Sequence, residues 1–378
     1  MIISLYIHIP FCRTKCDYCD FFSVPSSDRT LQKAVLDSII HELKTELNKL
    51  DEPKIETIFI GGGTPSSIQP SEFYSFLTAL NEIIAPIKNE GCEFSTEANI
   101  ASCTKDFMSA AEDGGINRLS IGVQSFDHQI LGKIGRICPV DDIYGTAAEI
   151  RSYWQESFSM DLISGITDDY LTDIELALKL EPHHLSVYQL SIEKETPLYS
   201  QIAEGKKKAP DDLLQSEAIS EISSLLKSEG WERYEISNYA KNGNYCRHNI
   251  RYWNMQSYLG IGPSAVSSIY FKDSGLRTTN TANLEQYINN ENREIENLTR
   301  ADFMIEHYLM GLRLSNGVDN DIFHSRFGKS PSEFIPSTAA AWAEQGMFDI
   351  KKSRLNDRGQ LFLDSFLSEV YDELTGTT

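Results

Sequence analysis

Tyr6-Ile7-His8-Ile9-Pro10-Phe11-Cys12-Arg13-Thr14-Lys15-Cys16-Asp17-Tyr18-Cys19 runs an alternating apolar strand directly into three thiols spaced C-x3-C-x2-C. Three thiols in so short a stretch can converge on one small metal centre. The number three matters. A structural zinc site closes with four ligands, whereas an iron–sulfur cluster held by three cysteines leaves one iron open to a further ligand. No fourth Cys or His stands in the local motif, so zinc would need a distant ligand. The short spacing also argues against three merely structural thiols.

Downstream of the thiols, strand and helix patterns alternate for about two-thirds of the chain. Leu31, Val35, Ile39, Leu43 and Leu47 recur at helical spacing, and Thr57-Ile58-Phe59-Ile60 is a second strand. A helix is expected from Ser71, as N-cap, to Ile87, then a strand over Glu93 to Ala98 and a helix over Lys105 to Asp113. Leu119 to Val123, Phe158 to Ile163 and Leu185 to Leu190 read as further strands, separated by helices near Val140 to Glu156 and Leu171 to Leu180. Such repeats require parallel strands with helices outside, in an open doubly wound sheet or a barrel. Cys12, Gly61 to Thr64, Glu97, Gln124, Asp161 and Tyr188 fall at or just past the C-terminal ends of strands, the active face of a β/α barrel. The expected fold is α/β: a partial (β/α) barrel over residues 1–240, a connecting region over 241–299, and a small, mostly helical C-terminal domain over 300–378. Within these, 237–256 reads as a polar, aromatic-rich loop, and Ser332 to Gln345 as a helix broken at Pro336.

Composition narrows the function classes. With 55 acidic against 34 basic residues the chain carries a formal charge of -21, a field that repels phosphate backbones and argues against a nucleic-acid partner. Lys206-Lys207-Lys208 is the one basic run, and its neighbourhood reads as a solvated loop. Seven cysteines, only three of them clustered, do not make a disulfide framework and point to a reducing cytoplasm. The N-terminus lacks the basic and small-residue flanks of a signal peptide, and no apolar run is long enough to span a bilayer.

The second motif is Gly61-Gly62-Gly63-Thr64-Pro65, at the end of the second strand. Glycines there let backbone approach a ligand, although a tight strand-to-helix turn would need them too. It has no phosphate-binding lysine. With the Cys triplet on the loop after the first strand, the pair resembles the radical S-adenosylmethionine (SAM) family. That resemblance implies a [4Fe–4S] cluster on Cys12, Cys16 and Cys19, with SAM chelating the open iron. Tyr6-Ile7-His8-Ile9-Pro10-Phe11-Cys12, Ser120-Ile121-Gly122-Val123-Gln124-Ser125-Phe126, Asp161-Leu162-Ile163-Ser164-Gly165 and His184-Leu185-Ser186-Val187-Tyr188 are similar to one branch, the oxygen-independent coproporphyrinogen III dehydrogenases and their relatives. By that resemblance Tyr6, Tyr18, Gly62, Gly63, Thr64, Glu97, Gln124, Arg136 and Asp161 contact SAM. From their chemistry alone, Glu97, Gln124, Arg136 and Asp161 read equally as ordinary polar strand ends.

Within the branch two readings compete. The dehydrogenases carry a fourth Cys where this chain has Phe21, and a long N-terminal extension for which Cys12 leaves no room. Cys246-Arg247-His248-Asn249-Ile250-Arg251-Tyr252-Trp253 contains H-N-x-x-Y-W, which resembles the haem-chaperone relatives. That resemblance implies haem as cargo near His248 and Asn249, with Tyr252 and Trp253 stacking on the macrocycle, and transfer to haem-accepting proteins, a membrane-associated haem enzyme among them. Cys246 is a second candidate ligand, and a hydrogen-bonded structural His248 is the plainer alternative. Two departures bear on local detail: Cys138 stands where relatives have His in G-R-x-H, and no Pro follows D-L-I-x-G at 161–165. Gly260-Ile261-Gly262-Pro263-Ser264-Ala265 matches a dinucleotide fingerprint, but Ala265 to Phe271 reads as extended and not as the required helix. The sequence therefore leads to a cytoplasmic haem chaperone with a [4Fe–4S] cluster and SAM. The alternative is a coproporphyrinogen III dehydrogenase that decarboxylates propionates.

Overall fold

The computed structural model describes residues 1–167 and 169–376. Six parallel strands follow one another in chain order: β1 (Ile2–Ile9), β2 (Lys54–Gly62), β3 (Lys88–Asn99), β4 (Arg118–Gln124), β5 (Ser157–Ser164) and β6 (His184–Gln189). Beyond β6 the sheet continues antiparallel through β7 (Asn238–Ala240). Beyond β1 it continues through β8 (Tyr258–Ile261), paired in parallel with β1, and then through antiparallel strands Val266–Tyr270, Gly275–Thr279 and Glu294–Leu298. The sheet of 12 strands never closes, so this is a partial barrel, as expected.

The strands are two-faced. Ile3, Leu5, Ile7 and Ile9 of β1 are wholly buried, as are Leu119, Ile121 and Val123 of β4. They pack outward on Val35, Ile39 and Leu43 of helix Arg29–Leu47 and on Phe73, Leu77 and Leu80 of helix Pro70–Ile84, in one apolar core. Each such side chain contributes about 2 kcal/mol by leaving water. The inner face is polar, and the register sets its residues side by side: Tyr6, Phe59, Ser95 and Arg118 in one row, Glu97, Ser120, Ser159 and His184 in the next, then Gly122, Asp161 and Ser186. A barrel with such an interior encloses cavities and not a dry core.

Several local expectations change. The helix expected from a Ser71 cap starts at Pro70, where a proline loses no hydrogen bond because the first turn needs none. The helix expected near Val140 begins at Ile143, because Asp142 accepts from Gly145 N at 2.8 Å, and a short helix, His128–Lys133, precedes it. The supposed loop 237–256 holds β7 and helix Arg247–Trp253. In the C-terminal part Pro336 opens a helix, Pro336–Glu344, rather than kinking one. Phe303, Tyr308, Phe323, Phe327, Trp342 and Phe366 fill a second apolar cluster there, which Met255 joins.

Candidate functional site

The cysteine loop is fastened from several sides. Phe11–Cys12 pairs with Val24–Pro25, and Cys19 N donates to Cys16 O at 3.2 Å. The glycine motif is zipped to the same segment: Gly63 N donates to Ile9 O (2.8 Å) and Thr64 N to Phe11 O (2.7 Å). A Cβ on Gly63 would lie 2.7 Å from Phe11 O, and one on Gly62, at φ +105°, would lie 2.5 Å from the His8 ring. Both positions therefore require glycine for close approach. Thr64 Oγ1 reaches Cys12 Sγ at 3.3 Å.

Asp17, between the second and third thiols, accepts from Gln201 Nε2 (2.9 Å) and from Lys207 Nζ (3.2 Å), while its carbonyl takes Leu198 N. Lys207 is thus not part of a freely solvated run; it pins the cysteine loop. Gly135, at φ +67°, leaves room for Asp17, since a Cβ there would sit 2.0 Å from its carboxylate. Arg136 then reaches back to Tyr18 OH (3.1 Å) and Gly122 O (2.6 Å).

These elements line an outer cavity of about 490 Å³ at the C-terminal ends of the strands. Cys12, Cys16 and Cys19 share it with Tyr18, Gly62, Gly63, Thr64, Glu97, Gln124, Arg136 and Asp161. Of the residues expected around SAM, only Tyr6 is elsewhere. Gln124 holds φ +71°, rare for a residue with a Cβ and common where a site dictates backbone shape.

The donor set fits a three-cysteine cluster. Burial pushes the Cys12 thiol up and Cys19 up to about 11. Among the described residues no three His, Cys, Asp or Glu side chains are gathered tightly enough to hold a single ion. In a three-cysteine cluster each thiolate binds a different iron, which asks for three thiols on one loop and no fourth protein ligand.

An inner cavity of about 750 Å³ lies deeper in the barrel and shares Asp20, Phe21, Gly62, Glu97, Asp161 and Tyr188 with the outer one. Tyr6 lines this cavity, its hydroxyl 3.0 Å from His8 Nδ1. So do His248, Asn249, Tyr252 and Trp253. They sit on helix Arg247–Trp253, whose start is capped from a distant strand: Glu93 accepts from Arg247 N and His248 N, both at 2.9 Å. No local cap marks this helix in the sequence, which is why it read as a loop.

His248 is 1% exposed, with Nδ1 2.8 Å from Thr57 Oγ1 and Nε2 2.9 Å from Tyr252 OH. Burial, then Arg251 and Arg118, holds it down to about 3, so the ring is neutral. It is therefore not the freely presented imidazole of a loop; iron ligation has to break one of its hydrogen bonds. Cys246 is buried beside it, and burial pushes its thiol up to about 12. Trp253 lies under Arg313, the guanidinium 4.9 Å from the ring.

Two carboxyls stand in the wall between the cavities. Burial and Asp161 push Glu97 up to about 8, and burial raises Asp161, which accepts from Ser120 Oγ at 3.1 Å. Arg118, also on the inner wall, belongs to none of the sequence motifs. The signal was present: Arg118, Ser120, Gly122 and Gln124 alternate with Leu119, Ile121 and Val123, which marks a strand with one polar face.

A run of parallel strands with a thiol loop after the first and a glycine turn after the second defines a radical SAM protein. The family model "Radical SAM superfamily" matches residues 6–181, and "HemN C-terminal domain" matches 298–362. Heme chaperone HemW of Bacillus subtilis is 31% identical, covering 98% of this chain and 100% of that protein. Heme chaperone HemW of Escherichia coli is 31% identical over 97% of each. Mouse radical S-adenosyl methionine domain-containing protein 1, mitochondrial, is 32% identical over 83% of this chain and 74% of its own. The chain belongs to the heme chaperone HemW family of radical SAM proteins. The solved structure of coproporphyrinogen III oxidase (HemN) from Escherichia coli superposes with TM-score 0.79 at 21% identity, covering 97% of this chain and 89% of that one. At that identity the likeness concerns the fold.

Proposed function

We propose that this protein is a haem chaperone: it binds a [4Fe–4S] cluster and SAM in the outer cavity, carries haem in the inner one, and hands the haem to acceptor proteins. The observation that carries the reading is the pair of abutting cavities, one lined by thiols and the other by aromatic rings. Full-length kinship to proteins named heme chaperones supports the same cargo. A bound cluster would supply an open iron for SAM and a source of single electrons.

The remaining roles belong to this chain's side chains. Cys12, Cys16 and Cys19 hold iron. Tyr18, Gly62, Gly63, Thr64, Glu97, Gln124, Arg136 and Asp161 surround SAM, with Arg136 and the two carboxyls available to its charged ends. Tyr6, the remaining residue expected at SAM, lines the inner cavity with its hydroxyl on His8. His248, Asn249, Tyr252 and Trp253 face the haem. A cytoplasmic location is supported by seven free cysteines. Among the described residues no helix is long and apolar enough to cross a membrane, so a membrane-associated acceptor would be met from one side.

The competing dehydrogenase reading has Phe21 against it, a 65%-exposed ring where the fourth cysteine would be. The test is incubation of anaerobically reconstituted protein with SAM, reductant and coproporphyrinogen III, beside a haem titration. Stoichiometric haem binding without protoporphyrinogen formation is expected. Catalytic turnover would overturn the chaperone reading.

A further inference from the structure

A buried guanidinium on the inner cavity is left unmatched. Arg118, at the start of β4, is 3% exposed, and among the described residues its Nε has no hydrogen-bond partner. The other guanidinium on this cavity, Arg277, is paired with Glu296 (3.1 Å) and Glu306 (2.7 Å). The acids nearest Arg118 are otherwise engaged. Glu93 accepts the two N–H groups that open helix Arg247–Trp253, and Asp161 accepts from Ser120. Both act on Arg118 only through space.

A guanidinium does not shed its proton on burial as a lysine does. A buried cation with an unmatched N–H is costly, and a ligand that accepts from it recovers part of that cost. Its planar fork matches a carboxylate in two parallel hydrogen bonds. The same cavity is lined by the rings of Phe59, Tyr252, Trp253 and Tyr270. A small inorganic anion would fill the charge and leave most of the 750 Å³ empty.

We propose that Arg118 receives a carboxylate of the molecule held in the inner cavity, and that this cavity selects flat, largely apolar carboxylates. The proposal rests on the reading that the inner cavity holds the cargo. Arg118 then fixes the orientation of the cargo: the carboxylate edge points into the barrel, and the opposite edge faces the mouth near Leu309 and Phe21.

The experiment titrates the full chain with metal-free protoporphyrin, a dicarboxylate that cannot use an axial ligand, and with its dimethyl ester. Both are followed by porphyrin fluorescence. Wild-type protein is expected to bind the diacid about tenfold more tightly than the ester, the scale of one charge-assisted pair. Arg118→Gln should lose that preference by weakening the diacid alone, and Arg118→Lys should keep part of it. Circular dichroism checks the fold of each variant, and the wild-type comparison of acid with ester needs no variant. Equal wild-type affinity for acid and ester, or an equal loss of both in folded Arg118→Gln, overturns the role of Arg118 and leaves haem carriage standing. Failure of wild-type protein to bind haem or either porphyrin overturns carriage itself, and this proposal with it.

Discussion

Thr57 Oγ1 lies 2.8 Å from His248 Nδ1, tying the second barrel strand to a helix 191 residues further along the chain. The other ring nitrogen is held by Tyr252 OH at 2.9 Å. Ligation of iron through Nε2 has to release that hydroxyl, a loss of about 1 kcal/mol. Tyr252→Phe keeps the ring and removes the competitor, so haem affinity is expected to rise about fivefold in a Soret titration. His248→Ala should lower it at least about tenfold if the imidazole binds iron. A drop in both variants would make His248 a structural post.

The seven thiols should separate cleanly in iron analysis. Cys12→Ala, Cys16→Ala and Cys19→Ala are each expected to abolish acid-labile sulfide and visible absorbance after anaerobic reconstitution. Cys246→Ala should retain them, because that thiol is buried against Glu93 on the inner cavity. Cluster loss in Cys246→Ala would require a different ligand set.

Lys207 and Asp17 form a partly exposed ion pair, so Lys207→Ala should change global stability by about 1 kcal/mol or less. Its effect is expected at the cluster loop. Iron release to a chelator should be several-fold faster than in wild type, with the melting temperature nearly unchanged. Equal release rates would return this lysine to the solvated role read from the sequence.

Acid should destabilise the apoprotein through its buried histidines. Burial, then Arg326, holds His307 down to about 3, and His248 is held to the same value. In the unfolded chain each histidine takes a proton near 6.5. Below that pH the unfolded state binds more protons, so stability falls as pH falls, by about 1.4 kcal/mol per unit for each histidine. Above about 6.5 these two groups add no slope. His307→Gln, in the C-terminal cluster, should flatten urea-derived stability by about one histidine's slope between about pH 4 and 6.

Glu42 clamps the first helix to the far end of the sheet. It accepts from Gly262 N (3.0 Å), Asn280 Nδ2 (2.8 Å) and Tyr287 OH (2.5 Å), and pairs with Arg293. Glu42→Ala leaves those donors and the cation unmatched and should cost about 3 kcal/mol in chemical denaturation. Iron content of the folded fraction should be unaffected.

The strands and most helices were legible because their apolar residues repeat with the right period. Helix Lys105–Asp113 matches its expected bounds residue for residue, since Thr104 caps it and Gly114-Gly115 end it locally. The dinucleotide fingerprint at Gly260 failed for the reason anticipated: strand Val266–Tyr270 follows it, not a helix. Gly260 is small because a Cβ would meet Val266 O at 2.0 Å. What the sequence hid depends on distant partners. Glu93 caps a helix more than 150 residues away, and Asp17 holds Lys207 from across the barrel mouth. Arg118 and the second cavity are hidden too, because the row of polar side chains that lines the cavity forms only when strand register sets Arg118 beside Ser95 and Phe59.

The pairing of β1 with β8 joins Ser4 to Tyr258 and Ile7 to Ile261, so an early strand has a neighbour from the last third of the chain. During synthesis β1 is finished first and keeps one bare edge until that neighbour emerges. Contacts this distant in sequence are slow to close, and an unpaired edge invites aggregation meanwhile. The same strand leads straight into Cys12. A nascent chain therefore presents its three thiols long before the sheet around them is complete, and the loop that carries them waits on the last third of the chain for its finished scaffold.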